Sequence, residues 1–284
     1  MTIAQLWRVP KAAALAFIDD EALSRGAAIA FYAVTSIAPI LPIVIAIAGL
    51  VFGRDAAQHA ITDQLTGLMG QQTAKMLEEA VANASGKSSG TLATLIGIVT
   101  LLATASGTFG EMQAALNAIW KAKPKSGTVS RMIRARAASA GLVATLGFLL
   151  VVSLAASAAL TALGERLNAV IPFGELMMSV LNFLISFVLI SVLFAAVYKV
   201  LPDRPVRWRD VITGAVVTTL LFIIGKTLIG WYIGSSAVAS TYGAAGAFIV
   251  LLLWVYYSVQ IFLFGAEFTK AFASRHGSKQ AEPG

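Results

Sequence analysis

The sequence predicts an all-α membrane protein with six transmembrane helices and both termini in the cytoplasm. The 284-residue chain is 58% apolar and 12% charged, whereas soluble domains are about half apolar and a quarter charged. Six long stretches are almost free of charge, and a bilayer span needs about 20 such residues. Lys and Arg concentrate on alternate connections, as they do in oriented membrane proteins.

The predicted spans are 26–53, 88–110, 137–164, 176–198, 211–234 and 242–266. Each is free of Asp, Glu, Lys and Arg, except that the fifth contains Lys226. Lipid offers no partner for open strands or exposed loops, so each span is expected to be helical.

The distribution of basic residues predicts the orientation. Sixteen of the 21 Lys and Arg residues lie in four segments: 1–25, 111–136, 199–210 and 267–284. Since basic residues collect on the cytoplasmic side, we expect these four segments inside and the 54–87 segment outside.

The parts outside the spans have their own expectations. Residues 1–25 form a cytoplasmic or interfacial segment, with a helix over 4–18. That helix either turns Leu6, Trp7 and Phe17 toward lipid or lies on the helix bundle. Periodic apolar residues predict one or two short helices within 54–87, and the polar tail 271–284 is expected to be disordered.

Two prolines interrupt the first span. Pro39 frees the carbonyl of Thr35 and Pro42 frees that of Ala38, because proline has no backbone donor. Thr35 and Ser36 carry hydroxyls that can bond to neighbouring backbone groups. One interpretation is a broken helix whose carbonyls line a substrate path. The alternative is a packing kink, since proline is common in membrane helices.

Lys226, Ser106 and Gly107 complete the candidate substrate path. About 15 residues of helix separate Lys226 from the inner boundary, roughly 22 Å at 1.5 Å per residue. Its ammonium either extends to the outer head groups or faces a cavity. Ser106 and Gly107 are small enough for close helix approach.

The sequence gives little support to an enzyme, a metal site or a cofactor. His59 and His276 have no partner at metal-ligand spacing, and His59 is expected on the solvated surface. No phosphate-binding loop or nucleophile elbow is present. The basic segment 121–136 is explained by membrane orientation without nucleic acid, and anionic lipid is the preferred partner.

Four segments resemble the YihY/virulence factor BrkB family of bacterial inner-membrane proteins. They are "SRGAAIAFYAVTSIAPIL" (Ser24–Leu41), "ATASGTFGEMQAALNAIW" (Ala103–Trp120), "YKVLPDRPVRWRDVITGA" (Tyr198–Ala215) and "YGAAGAFIVLLLWVYYSVQIFLFGAEFT" (Tyr242–Thr269). The resemblance implies a six-helix protein of the bacterial inner membrane. Some members of that family carry an old label as a ribonuclease (RNase BN). This sequence does not support that label, because a zinc nuclease needs several His and Asp ligands.

The resemblance identifies the residues of this chain that match the family's motifs, but it assigns no role to them. The matching positions are Arg25, Tyr32, Ser36, Pro39, Ser106, Gly107, Asn117, Pro202, Asp203, Arg207, Trp208, Asp210, Tyr242, Gly243, Trp254, Gly265 and Glu267. Pro202 and Asp203 are expected in a tight inner turn, and Asp210 near a helix start. Trp208 is expected at the membrane interface. Glu111 and Glu267 are expected at the inner boundary, either solvated or paired with arginines.

Two functions are compatible with the sequence. The first is a transporter, or a transport accessory, for an amphiphile, anionic lipid or solute in envelope biogenesis. The alternative is a non-transporting scaffold that organises envelope-assembly proteins. A polar cavity beside Pro39 and Lys226 favours transport, whereas a filled bundle favours a scaffold.

Overall fold

The computed structural model describes residues 3–53, 58–59, 62–63, 66, 107–122, 174–235 and 238–276. The long helices in this part of the chain are α1 (Ile3–Asp19), α2 (Ala22–Phe52), α3 (described over 107–119), α4 (Gly174–Val200), α5 (Trp208–Ser235) and α6 (Val238–His276), and residues 58–59, 62–63 and 66 are also helical. The predicted span at 137–164, most of 88–110 and of 54–87, and the tail from 277 lie outside these residues.

Three of the described helices are long and apolar enough to cross a membrane. The candidate spans are Ser179–Val200, Trp208–Tyr232 and Phe248–Ser274. They overlap the fourth, fifth and sixth predicted spans. Helices of membrane-spanning length and composition are therefore confirmed at these positions, whereas the count of six and the orientation stay predictions.

Helices α4, α5 and α6 pack through small residues and a buried tyrosine. A methyl group added at Gly265 would lie 1.9 Å from Thr218 Oγ1 and 2.6 Å from the Tyr198 hydroxyl. Tyr198 is fully buried, donates to the Phe262 carbonyl at 2.6 Å and lies 3.1 Å from Thr218 Oγ1. Small residues of this kind let helix backbones approach closely where lipid gives no hydrophobic driving force.

The first helix lies against the bundle. Phe17 meets the ring of Phe264 edge-on at 6.0 Å between centroids, and Val9 and Ala13 are buried. This packing on α6 favours the second of the two interpretations of the 4–18 helix. The side chains of Leu6 and Trp7 lie outside the described part.

Helix α2 is continuous from Ala22 to Phe52 and includes both prolines. The backbone is therefore not divided into two helices at Pro39 or Pro42. The side chains of 37–48 are outside the described residues, so the choice between a cavity-lining segment and a packing kink stays open.

The predicted cytoplasmic segments meet at one end of the bundle. Asp20 contacts Lys121 and Lys270, while Asn117 and Asp203 are joined by hydrogen bonds. These contacts connect the α1–α2 junction, the end of α3, the α4–α5 connection and α6. We call this region the charged end.

Candidate functional site

Asp20 is the centre of the charged end. It follows the last residue of α1, and its carboxylate bonds to the ammonium of Lys121 through Oδ1 and lies 3.3 Å from that of Lys270 through Oδ2. Its backbone carbonyl accepts a hydrogen bond from Arg25 Nε at 3.1 Å. One residue thus ties together the α1–α2 junction, α3 and α6.

The surroundings of Asp20 favour its ionised form. Burial raises the pKa of this carboxyl, but the hydrogen bond from Lys121 and the charge of Lys270 lower it. The net result is a pKa below the ordinary value for aspartate. Lys121 has a side chain 65% exposed, so water screens its contribution more than that of Lys270.

Glu267 lies beside Asp20 in a very different environment from the one predicted. Its side chain is 1% exposed, and its nearest cation among the described residues is Lys270, with Nζ 3.7 Å from Oε2. The expected interfacial solvation or arginine pairing of Glu267 is therefore wrong. Glu111, the other predicted boundary carboxylate, is half-buried on α3.

A pocket of about 450 Å³ opens beside Asp20. Its lining consists of Asp19, Asp20, Glu21, Arg25, Asn117, Ala118, Lys121 and Ala122. The α1–α2 junction forms one wall and the end of α3 forms the other. The lining therefore offers carboxylates, two cations and an amide at one place.

Both walls contain a residue in the left-handed backbone region. Glu21 has φ 55° before α2, and Lys121 has φ 49° after α3. The conformation costs a residue with a side chain about 1 kcal/mol or more. The hydrogen bonds and ion pairs around Asp20 offset this cost, which explains why two non-glycine residues adopt it here.

Exposed apolar side chains flank the lining residues of the pocket along the chain. Leu15 and Ile18 precede Asp19 on α1, Leu23 follows Glu21 on α2, and all three are more than half exposed. Polar and apolar surfaces are thus adjacent within a few residues of chain.

A hydrogen-bonded pair connects the pocket wall to the α4–α5 connection. Asn117 Nδ2 donates to Asp203 Oδ2, and the Asp203 backbone N–H donates to Asn117 Oδ1, both at 2.8 Å. Arg204 adds a bond from Nη1 to the Trp120 carbonyl at 3.2 Å. Since Asn117 lines the pocket, this pair sets the position of that wall.

Some of the predicted path residues are engaged within α2. The Thr35 hydroxyl bonds to the carbonyls of Phe31 and Tyr32, each at 2.9 Å, and that of Ser36 bonds to Ala33 at 2.8 Å. These hydroxyls satisfy the preceding turn, rather than the carbonyls that the prolines free. The side chains of Pro39 and Pro42, and all of Ser106, lie outside the described residues.

Gly107 and Lys226 occupy different environments. Gly107 lies under the ring of Tyr32, where an added methyl would be 2.8 Å from Cδ1. Helices α2 and α3 therefore touch at two positions of the family motifs. Lys226 is half-buried on α5 and is not a lining residue of the described pocket.

Other positions of the resemblance have mainly architectural contacts. Trp208 is exposed at the start of α5, with Lys199 Nζ 5.4 Å from its ring centroid. Asp210 lies in the first turn of α5, as predicted, and Trp254 packs edge-on against Phe222. Pro202 and Arg207 lie in the α4–α5 connection. The side chain of Tyr242 and the surroundings of Gly243 are outside the described part of α6.

The sequence did not single out Asp20, Lys121 or Lys270 as a site. One signal was available: Asp19, Asp20 and Glu21 form an acidic triplet inside a segment expected to be basic. His59, one of the two histidines considered for metal binding, is exposed. Within the described ranges, no group of three or more His, Asp or Glu residues has the arrangement of metal ligands.

Comparison with known proteins identifies the family. The family model for Virulence factor BrkB matches residues 13–284. The chain belongs to the virulence factor BrkB family. Its matched region includes the whole charged end.

Curated relatives are described as UPF0761 membrane proteins. That of Rhodospirillum centenum is 26% identical over 94% of this chain and 58% of its own length. That of Alteromonas mediterranea is 30% identical over 81% of this chain and 74% of its own length. The chain spans 58% and 59% of the Rhodospirillum centenum and Ralstonia nicotianae relatives. No solved structure matches the chain.

Proposed function

We propose that this member of the BrkB family moves, or helps to move, an amphiphile with an anionic phosphate-type head group across the bacterial inner membrane. The observation that carries the proposal is the charged pocket, whose lining residues Asp19 and Glu21 are flanked in the chain by exposed apolar side chains. A head group would occupy the pocket while its acyl chains follow the apolar surface.

The pocket has suitable groups for a phosphate. Arg25 has a guanidinium with five N–H donors, of which one bonds to the Asp20 carbonyl. Lys121 is largely exposed at the opposite wall. The exposed carboxylates of Asp19 and Glu21 would accept hydrogen bonds from hydroxyl or amine groups of the same head group.

The apolar surface fits the rest of an amphiphile. Ile18 is 67% exposed, and Leu15 and Leu23 are exposed to a similar degree. Exposed apolar groups beside a polar pocket match a molecule with one polar end. A small hydrophilic solute would make no use of them.

The proposal is tested first by binding. Delipidated protein in detergent is mixed with fluorescent phosphatidylglycerol or with fluorescent diacylglycerol carrying the same chains, and anisotropy reports binding. We expect tighter binding of phosphatidylglycerol. Arg25→Gln and Lys121→Gln should each weaken it about fivefold, because one basic residue contributes about 1 kcal/mol toward an anionic lipid.

Lys11→Gln is the matched control, since Lys11 is exposed on α1 outside the pocket. Movement is then measured in proteoliposomes, as loss of labelled phosphatidylglycerol from the inner leaflet to an external quencher. Equal binding of both lipids together with no movement would contradict the proposal and favour the scaffold alternative.

A further inference from the structure

Glu267 is a buried carboxyl whose oxygens have no ordinary donor. Its side chain is 1% exposed, and neither oxygen accepts a hydrogen bond from an N–H or O–H group of another described residue. The ammonium of Lys270 lies 3.7 Å from Oε2, beyond hydrogen-bond distance. A buried carboxylate in this position is costly unless it is paired or protonated.

The cation nearest to Glu267 is shared. Lys270 Nζ lies 3.3 Å from Asp20 Oδ2 and 3.7 Å from Glu267 Oε2. The second cation, Lys121, pairs with Asp20 and has a side chain 65% exposed. One largely buried ammonium therefore faces two carboxyl groups, and Asp20 is the nearer of them.

One arrangement that satisfies Glu267 is a hydrogen bond to Asp20. Asp20 Oδ2 and Glu267 Oε2 meet at the same ammonium, since they lie 3.3 Å and 3.7 Å from Lys270 Nζ. Two carboxylates have only acceptors, so such a bond requires a proton on one of them. With the proton on Glu267, its O–H donates to Asp20, which stays ionised against Lys121 and Lys270.

We propose that Asp20 and Glu267 form a proton-binding site that joins the α1–α2 junction to α6. A proton from water enters through the pocket, which Asp20 lines, and forms an O–H bond on Glu267. On release the same bond breaks and the proton returns to water. Release leaves two carboxylates around Lys270 and weakens the contact between the two parts of the bundle.

In the part of the chain that the structure describes, the charged groups that face this pair lie on three packed elements. They are Lys270 on α6 and Lys121 at the end of α3, with Arg25 of α2 on the Asp20 backbone. A role for the proton in driving transport rests on the proposed function. The site itself does not, and it is tested without any added substrate.

The test is infrared difference spectroscopy of the full-length protein in lipid nanodiscs, between mildly acidic and alkaline pH. A protonated carboxyl has a carbonyl stretching band that ionisation removes. We expect such a band to titrate in the wild type and to be absent from Glu267→Gln. The amide of this variant donates to Asp20 as the protonated acid does, so we expect it to fold.

Two further variants make the assignment specific. Glu111→Gln, which changes a half-buried carboxyl outside the cluster, should keep the band. Lys270→Gln should raise the midpoint of this titration by about one pH unit or more. The reason is that a nearby cation favours the ionised carboxylate, and this variant removes it. Lys270→Gln therefore tests the proposal even if Glu267→Gln does not fold. A midpoint unchanged in Lys270→Gln, or a band that persists in Glu267→Gln, would overturn the proposal.

Discussion

Asn117 and Asp203 exchange two hydrogen bonds of 2.8 Å across 86 positions of the chain. One bond uses the carboxylate of Asp203 and the other its backbone N–H, so the amide of Asn117 is bound at both ends. Both residues belong to the motifs on which the family resemblance rested. Their partnership gives a physical reason for an asparagine at the end of one helix and an aspartate after a proline in a distant turn.

The Asn117–Asp203 pair is expected to stabilise the charged end. Asn117→Ala removes both bonds and should lower the unfolding free energy by about 1–3 kcal/mol, because it leaves partly buried groups of Asp203 without a partner. Thermal unfolding in detergent measures the effect. Gln113 provides a comparison, since its Nε2 makes one longer and weaker hydrogen bond to Asp203 Oδ1, at 3.5 Å. Equal losses for Gln113→Ala and Asn117→Ala would contradict the special role of Asn117.

Close helix packing at glycine predicts a second difference in stability. Gly265→Ala and Gly214→Ala should each destabilise the protein by about 1–3 kcal/mol, because the added methyl would overlap Thr218 and Thr269 respectively. Gly230, also on α5, has nothing within 4 Å of an added methyl, so Gly230→Ala should be neutral or slightly stabilising. Unfolding temperatures of the three variants provide the check, and the same loss in all three would refute the packing argument.

The lowered pKa of Asp20 predicts a loss of stability in acid. A carboxyl with a depressed pKa in the folded state stabilises the protein fully above its unfolded pKa, about 3.9. That stabilisation disappears as the pH falls through the lower folded-state value. We expect the unfolding temperature of wild type to exceed that of Asp20→Asn at neutral pH, and the two curves to converge in strong acid. A constant difference down to strong acid would show that ionisation of Asp20 does not contribute.

The orientation of the protein can be measured directly, because the sequence contains no cysteine. Single cysteines at Ser126 and Ser278 should react with a membrane-impermeant maleimide only after permeabilisation. Cysteines at Gln72 and Ser88 should react in intact cells. The reverse pattern would place the charged end outside the cell and remove the basis of the predicted topology.

The first-span hypothesis gives a prediction that separates function from packing. If the prolines and Lys226 line a path, Pro39→Ala, Pro42→Ala and Lys226→Met should lose complementation of a deletion strain at normal membrane abundance. If the prolines only shape α2, their variants should lower abundance and Lys226→Met should be silent. The half-buried position of Lys226 fits either case, so complementation and abundance must be measured together.

The sequence by itself determined the membrane class and the three candidate spans of the described residues. Long runs without charge permit few structures in lipid, since every backbone group must be satisfied within a helix. The position of Asp210 in the first turn of α5 also followed from local preference. Such properties depend on residues near one another in the chain, and for that reason they could be predicted.

Tertiary structure alone decided the candidate site. Asp20 and Lys270 are 250 positions apart, and nothing in either local sequence indicates that they meet. Glu267 was expected near water, yet packing of the α1–α2 junction on α6 buries it. The cost of a buried carboxyl depends on which groups of other helices surround it, and helix packing, rather than local sequence, brings those groups together.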